Sequence, residues 1–227
     1  MKYWIKIGFL LTLGIVLNMT AFAQYDASAT LSLGMGHGQT ALSQDVMRNA
    51  FALKSNEVVN KASKAEYIYL GSADYSRFER QIFDGILAEN KNADKVKLRG
   101  FLADTRTRHH FFQRTRSYGL RDTYLSDILA TGIAWNWEMY HQTAADKQKV
   151  VNLRNKIRNN MSKSSVTKQI SNLSDEDKRK WILSFMYNNS MLAYTIKKTG
   201  KLSALQKEQL IKTAQQAGVP DISAVSL

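Results

Sequence analysis

Apolar residues recur at three- and four-residue steps over most of this chain, the pattern of helices that each pack one face inward. The spacing predicts helices over 43–62, 72–90, 93–116, 122–142, 145–161, 174–199 and 203–217. Segment 174–199 carries the fullest set of signals. Ser174, with Asp177 three residues on, makes a capping-box start in which Asp replaces the usual Glu. Ile182, Phe185, Met186, Asn189, Ala193 and Ile196 then share a face, and Lys197, Lys198 and Gly200 provide the C-terminal cations and the stop. Val150, Leu153, Ile157 and Met161 mark the apolar side of 145–161. Ser203 caps the last helix, and Gly218-Val219-Pro220 ends it. Strand signals are confined to "ATLSL" at 29–33 and "EYIYL" at 66–70, both short and isolated. There is no internal repeat. The expected fold is all-α, a single helical domain of about six to seven helices over 43–227.

The N-terminus follows a different pattern. Lys2 and Lys6 precede an apolar run from Ile7 to Met19, which closes on Ala21-Phe22-Ala23. That order of charge, apolar run and small-x-small site predicts a signal peptide over 1–23, cleaved after Ala23. Residues 24–42 are small, polar and glycine-rich, and are expected to form a flexible leader. The stretch Gly34-Met35-Gly36-His37-Gly38 lacks the β-α-β setting and the glycine spacing of a nucleotide fingerprint. No nucleotide or other cofactor is expected. No later segment has the apolar length of a membrane span, about 20 residues. The expected location is periplasmic or secreted. The chain holds no cysteine, so its stability has to come from the core without disulfides.

Charge adds direction. The chain carries 32 Lys and Arg against 19 Asp and Glu. Without Lys2 and Lys6 the balance is still +11, and it is uneven: residues 24–145 carry +2 and residues 146–227 carry +9. A field of this size draws a protein toward anionic surfaces. Nucleic acid is not the expected partner, because stacking aromatics do not interleave with the basic clusters. An anionic envelope component or another envelope protein is.

The densest chemistry is "RTRHHFFQRTRSYGLRD", residues 106–122, with five arginines, two histidines and three aromatics. Laid on one helix over 93–116, His109 joins the apolar face with Leu98, Phe101, Leu102, Thr105 and Phe112. Arg106, His110 and Arg114 then share a polar face. Adjacent histidines on a helix diverge by about 100° and cannot easily grip one metal ion, so no metal site is expected. Arg106, His110, Arg114, Arg116 and Arg121 form a candidate anion-binding cluster built from forked donors. The competing reading is a solvated basic face at a helix C-terminus. Gly119 is the expected left-handed residue that ends this helix, and Asp122 or Thr123 the cap of the next.

That next helix, "DTYLSDILATGIAWNWEMYH", has Gly132 within a broad apolar side, which predicts close approach of another helix backbone. Trp135 and Trp137 diverge, so one is expected in the core and the other near the surface. Trp137 and Tyr140 form a candidate interface. Glu138 and His141 stand three apart, spaced for a surface ion pair. Tyr118-Gly119-Leu120, Asp127 and Trp135 or Trp137, with Gly218, Asp221 and a final leucine, resemble the central and closing motifs of a family of exported bacterial helical domains of unknown function. The resemblance covers about residues 45–227. It implies a helical fold and an export signal, and no activity.

Three functions fit these residues. An anion or envelope-polymer binder requires Arg106, Arg114, Arg116 and Arg121 to converge. A protein-binding module of inhibitor or immunity type requires an exposed patch around Trp137 and Tyr140. A cell-wall hydrolase requires a cleft holding Glu138 or another carboxylate, from among Glu66, Glu79 and Glu89. With no cysteine and no Gly-x-Ser-x-Gly elbow, a non-catalytic binder is the expected class.

Overall fold

The computed structural model of the chain describes residues 37–51 and 59–227. The signal-peptide segment, most of the leader and the "ATLSL" stretch lie outside the described residues. Within them the fold is all-α. The helices are α1 (His37–Met47), α2 (Ser72–Glu89), α3 (Lys95–Thr105), α4 (Thr107–Ser117) and α5 (Leu125–His141). They continue as α6 (Lys147–Met161), α7 (Ser164–Asn172), α8 (Asp175–Thr199) and α9 (Ala204–Gln216). Short 3-10 turns lie at Lys64–Glu66 and Ile222–Ala224.

α5 is the axis of the molecule. From Leu125 to Trp137 every residue of it is buried, and α4, α6, α8, α9 and the C-terminal turn all pack against it. An element apolar on most sides belongs inside, and α5 carries only Asp127 and Glu138 as carboxylates and no Lys or Arg. Its neighbours are amphipathic. α6 buries Val150, Leu153, Ile157 and Met161, as the spacing predicts, and turns Arg154 and Arg158 inward onto Asp127.

Caps set the boundaries. The Asp94 carboxylate accepts from the N–H groups of Val96 and Lys97, Asp146 from Lys149, Ser174 from Asp177 and Ser203 from Gln206. α4 and α9 both end in a Schellman turn. Leu120 donates to the Thr115 carbonyl and Val219 to that of Ala214, each across a left-handed glycine, Gly119 or Gly218.

Several expectations are corrected. α1 begins at His37, inside the stretch read as leader, because Leu42, Val46 and Met47 reach the core. It stops at Met47 rather than running to 62, with Asn49 left-handed at φ 63°. α5 is capped by Tyr124, not Asp122 or Thr123. Gly132 faces the Phe185 ring of α8 rather than a backbone. Both Trp135 and Trp137 are buried. α7 escaped notice because it is short, with Val166 and Ile170 its only buried positions. "EYIYL" makes one antiparallel bridge, Tyr67 to Tyr124, and no ladder.

An ionic cluster joins α5, α6 and the strap before α2. Asp127, with 2% of its side chain exposed, pairs with Arg154 at 3.2 Å and Arg158 at 2.7 Å. Its other oxygen accepts the Arg121 N–H at 2.8 Å. Glu66, fully buried on the strap, stands 3.7 Å from Arg158. The chain ends folded against α5: the Trp137 indole donates to the Val225 carbonyl at 2.7 Å, and Ile222, Val225 and Leu227 are buried.

Candidate functional site

The helix expected over 93–116 is broken at Arg106, which adopts φ 44°, ψ 43°. Thr105 donates its hydroxyl to the Leu102 carbonyl at 2.7 Å, and the Thr105 and Thr107 hydroxyls lie 3.0 Å apart. Hydroxyls that bond their own backbone compete with helix continuation. The left-handed step starts α4 afresh. Its first internal bond runs from the His110 N–H to the Arg106 carbonyl, so the amides of Thr107, Arg108 and His109 have no helical acceptor.

The break resets the faces. α4 buries Thr107, Phe111 and Thr115, while His109 is exposed. The expectation that His109 enters the core fails for that reason. Arg106, Arg108 and His109 instead line a cleft of about 470 Å³. Tyr75 and Glu79 of α2 form one wall, with Tyr187 of α8 beside them. Leu102 and Ala103 of α3 and Phe112 of α4 supply the apolar remainder.

Hydrogen bonds fix the acidic wall. The Tyr187 hydroxyl, whose bonds run 3.2 Å to Glu79 Oε2 and 3.3 Å to the Tyr75 carbonyl, ties α8 to α2. Burial, with the Glu79 charge second, pushes the Tyr187 phenol well above its ordinary value, so it remains a donor. Burial and the charge of Asp122 push Tyr75 the same way. Arg108 donates to the Ser72 hydroxyl at 2.6 Å, and its guanidinium lies 5.9 Å from the Tyr75 ring centroid.

The remaining predicted residues disperse. His110 and Arg114 both meet Trp135, with the imidazole 6.2 Å and the guanidinium 4.5 Å from it. Burial holds His110 below the usual imidazole range; a backbone hydrogen bond at Thr105 opposes this, and the charges of Arg106 and Arg114 add to it. Arg114 is paired with Glu138, whose carboxylate also accepts from the Tyr118 hydroxyl at 2.7 Å and the Ala145 N–H at 3.2 Å. The partner of Glu138 is thus Arg114, not His141, which lies 3.3 Å from the Ile222 carbonyl. Arg116 stacks on Phe112, its guanidinium 4.0 Å from the ring centroid. The Arg121 side chain is exposed beyond the turn. Trp137 lies under the C-terminal residues, and Tyr140 is half-buried with Lys207 6.0 Å from its ring. Of the predicted cluster only Arg106 lines the cleft, with Arg114 held by Glu138 against Trp135.

Glu79, Tyr75 and Tyr187 had no signal in the sequence that linked them to 106–109. Arg108, His109 and Phe112 lay inside the conspicuous stretch but were misoriented by the assumption of one continuous helix. Among the described residues no three His, Cys, Asp or Glu side chains gather as metal ligands, and no helix is long and apolar enough to cross a membrane. No protein-family model, curated protein or solved structure matches the chain.

Proposed function

We propose that the protein is an exported, non-catalytic binder of an anionic envelope component, with the cleft beside Arg106 as its recognition site. The observation that carries this reading is the gathering of Arg106, Arg108 and His109 at one cleft, at the fresh start of α4, whose first amides have no helical acceptor. Arginine forks and helix N-terminal amides both favour carboxylate and phosphate oxygens. The basic C-terminal half adds long-range attraction. Export, and kinship with the family of exported helical domains, rest on residues 1–23 and on the motif around Tyr118 and Asp127.

The alternatives are less well supported. Trp137, the anchor of a protein-binding patch, is covered by the C-terminal residues. Glu138, the hydrolase candidate, is engaged by Arg114, Tyr118 and Ala145. The test is co-sedimentation of residues 24–227 with purified cell-wall sacculi and with anionic lipid vesicles over a salt gradient. Binding to either that is lost in Arg106→Asn and kept in Glu138→Gln supports the reading. Equal binding by Arg106→Asn would overturn the cleft as the site.

A further inference from the structure

Resting on the reading of the cleft as an anion site, we infer that its ligand is a small zwitterion: an amino acid or short peptide whose carboxylate meets Arg106 and Arg108 and whose ammonium meets Glu79. The cleft is bipolar. Its α4 wall carries Arg106, Arg108 and His109, and its α2 wall carries Glu79. Among the described residues, no ion pair joins Glu79 to the cations opposite it. Opposite charges held apart across an open cleft leave each available to a ligand.

The carboxylate is also half committed. Tyr187 satisfies Glu79 Oε2, and no side chain donates to Oε1. A bare phosphate would leave Glu79 facing like charge, and would bind more weakly than an anion that also carries a cationic group. A ligand with an ammonium group satisfies both walls at once. The half-buried Tyr75 ring beside Glu79 adds a face that attracts a cation. Leu102, Ala103 and Phe112 offer room for apolar side chains. The volume, about 470 Å³, lies within the range of small-ligand sites, about 300–1,000 Å³. Cell-wall stem peptides are one envelope source of such zwitterions.

The probe is the tripeptide Ala-Ala-Ala, titrated into residues 24–227 by calorimetry and by amide chemical-shift mapping. Its N-acetyl form, its C-terminal amide and inorganic phosphate serve as comparators. The expected result is shift changes at residues 106–112 and at Glu79, and a loss of tenfold or more in affinity on blocking either end. Glu79→Gln should weaken the free-amine peptide about tenfold and leave the N-acetyl peptide unchanged. If N-acetylation costs nothing, or phosphate binds as tightly as the peptide, the zwitterion is wrong and the anion site stands. If neither peptide nor phosphate binds, while sacculi or anionic vesicles still bind through Arg106, the zwitterion again fails alone. If no anion binds at all, both readings fall. Because the blocked peptides test the same point with unaltered protein, a misfolded variant would not shield the inference.

Discussion

Gly119 and Gly218 occupy the same left-handed position in two Schellman turns, at φ 74° and φ 85°, yet they differ in surroundings. A Cβ on Gly119 would meet only the flexible end of Lys147 at 3.9 Å, whereas one on Gly218 would stand 2.2 Å from the Ser43 carbonyl oxygen. Gly119→Ala should therefore cost only the left-handed penalty, about 1–2 kcal/mol. Gly218→Ala should cost clearly more, because α1 must move; paired urea denaturation curves check the order. Asp127 invites a larger loss. Replacing it by Ala removes the carboxylate shared by Arg154 and Arg158 and leaves Arg158 only Glu66, at 3.7 Å; about 3–5 kcal/mol is the usual scale for breaking a buried pair. Asp127 is thus an ionic anchor between α5 and α6. Glu66 behaves differently. Burial raises its carboxyl above the ordinary 4.5, outweighing Ser126 and Arg158. The folded state then binds this proton more tightly than the unfolded chain does. The stability it contributes is present below the unfolded value and is lost as pH rises through the raised folded value. Stability of the wild type minus that of Glu66→Gln should accordingly fall as pH rises above the ordinary value of 4.5. A flat difference would mean that Glu66 titrates alike in both states.

At the scale of elements, the break at Arg106 decides what the conspicuous stretch presents. Glycine adopts φ 44° freely and a β-branched residue does not. Arg106→Gly should hold the melting temperature near that of the parent, and Arg106→Val should lower it by several degrees in thermal denaturation followed by circular dichroism. Equal melting of the two would mean the left-handed step is not a constraint in solution. The same element explains what could be read from the sequence. α8 and α9 were legible because caps and apolar spacing agreed, with Ser174, Ser203, Gly200 and Gly218 each doing what their residue types favour, whereas α5 and α6 were read from apolar spacing. The Arg106 break was not legible, since its left-handed residue is an arginine and its cause is a pair of threonine hydroxyls seen only in three dimensions. The candidate site suffered accordingly. Its basic wall came from the right stretch with the wrong phase, and its acidic wall came from residues 30 and 80 positions away in a chain that offers no local hint of the meeting.

Across the whole molecule, the residues after Pro220 act as the lid of the core. Ile222, Val225 and Leu227 are buried, the Val225 carbonyl receives the Trp137 indole, and Lys149 donates to the Ser226 hydroxyl at 3.0 Å. Each fully buried side chain of that size contributes about 1.5–3 kcal/mol. Ending the chain at Pro220 should shift tryptophan emission to the red and lower the melting temperature substantially. An unchanged spectrum would show that Trp137 is covered by something else. Near the lid, the Gly218 turn sits on Ser43, so the earliest described helix closes against the latest one. A polypeptide made or threaded from its N-terminus cannot complete this contact until Gly218 emerges, about 170 residues after Ser43. Arrival of that turn, rather than local helix formation, then sets when α1 is held in place.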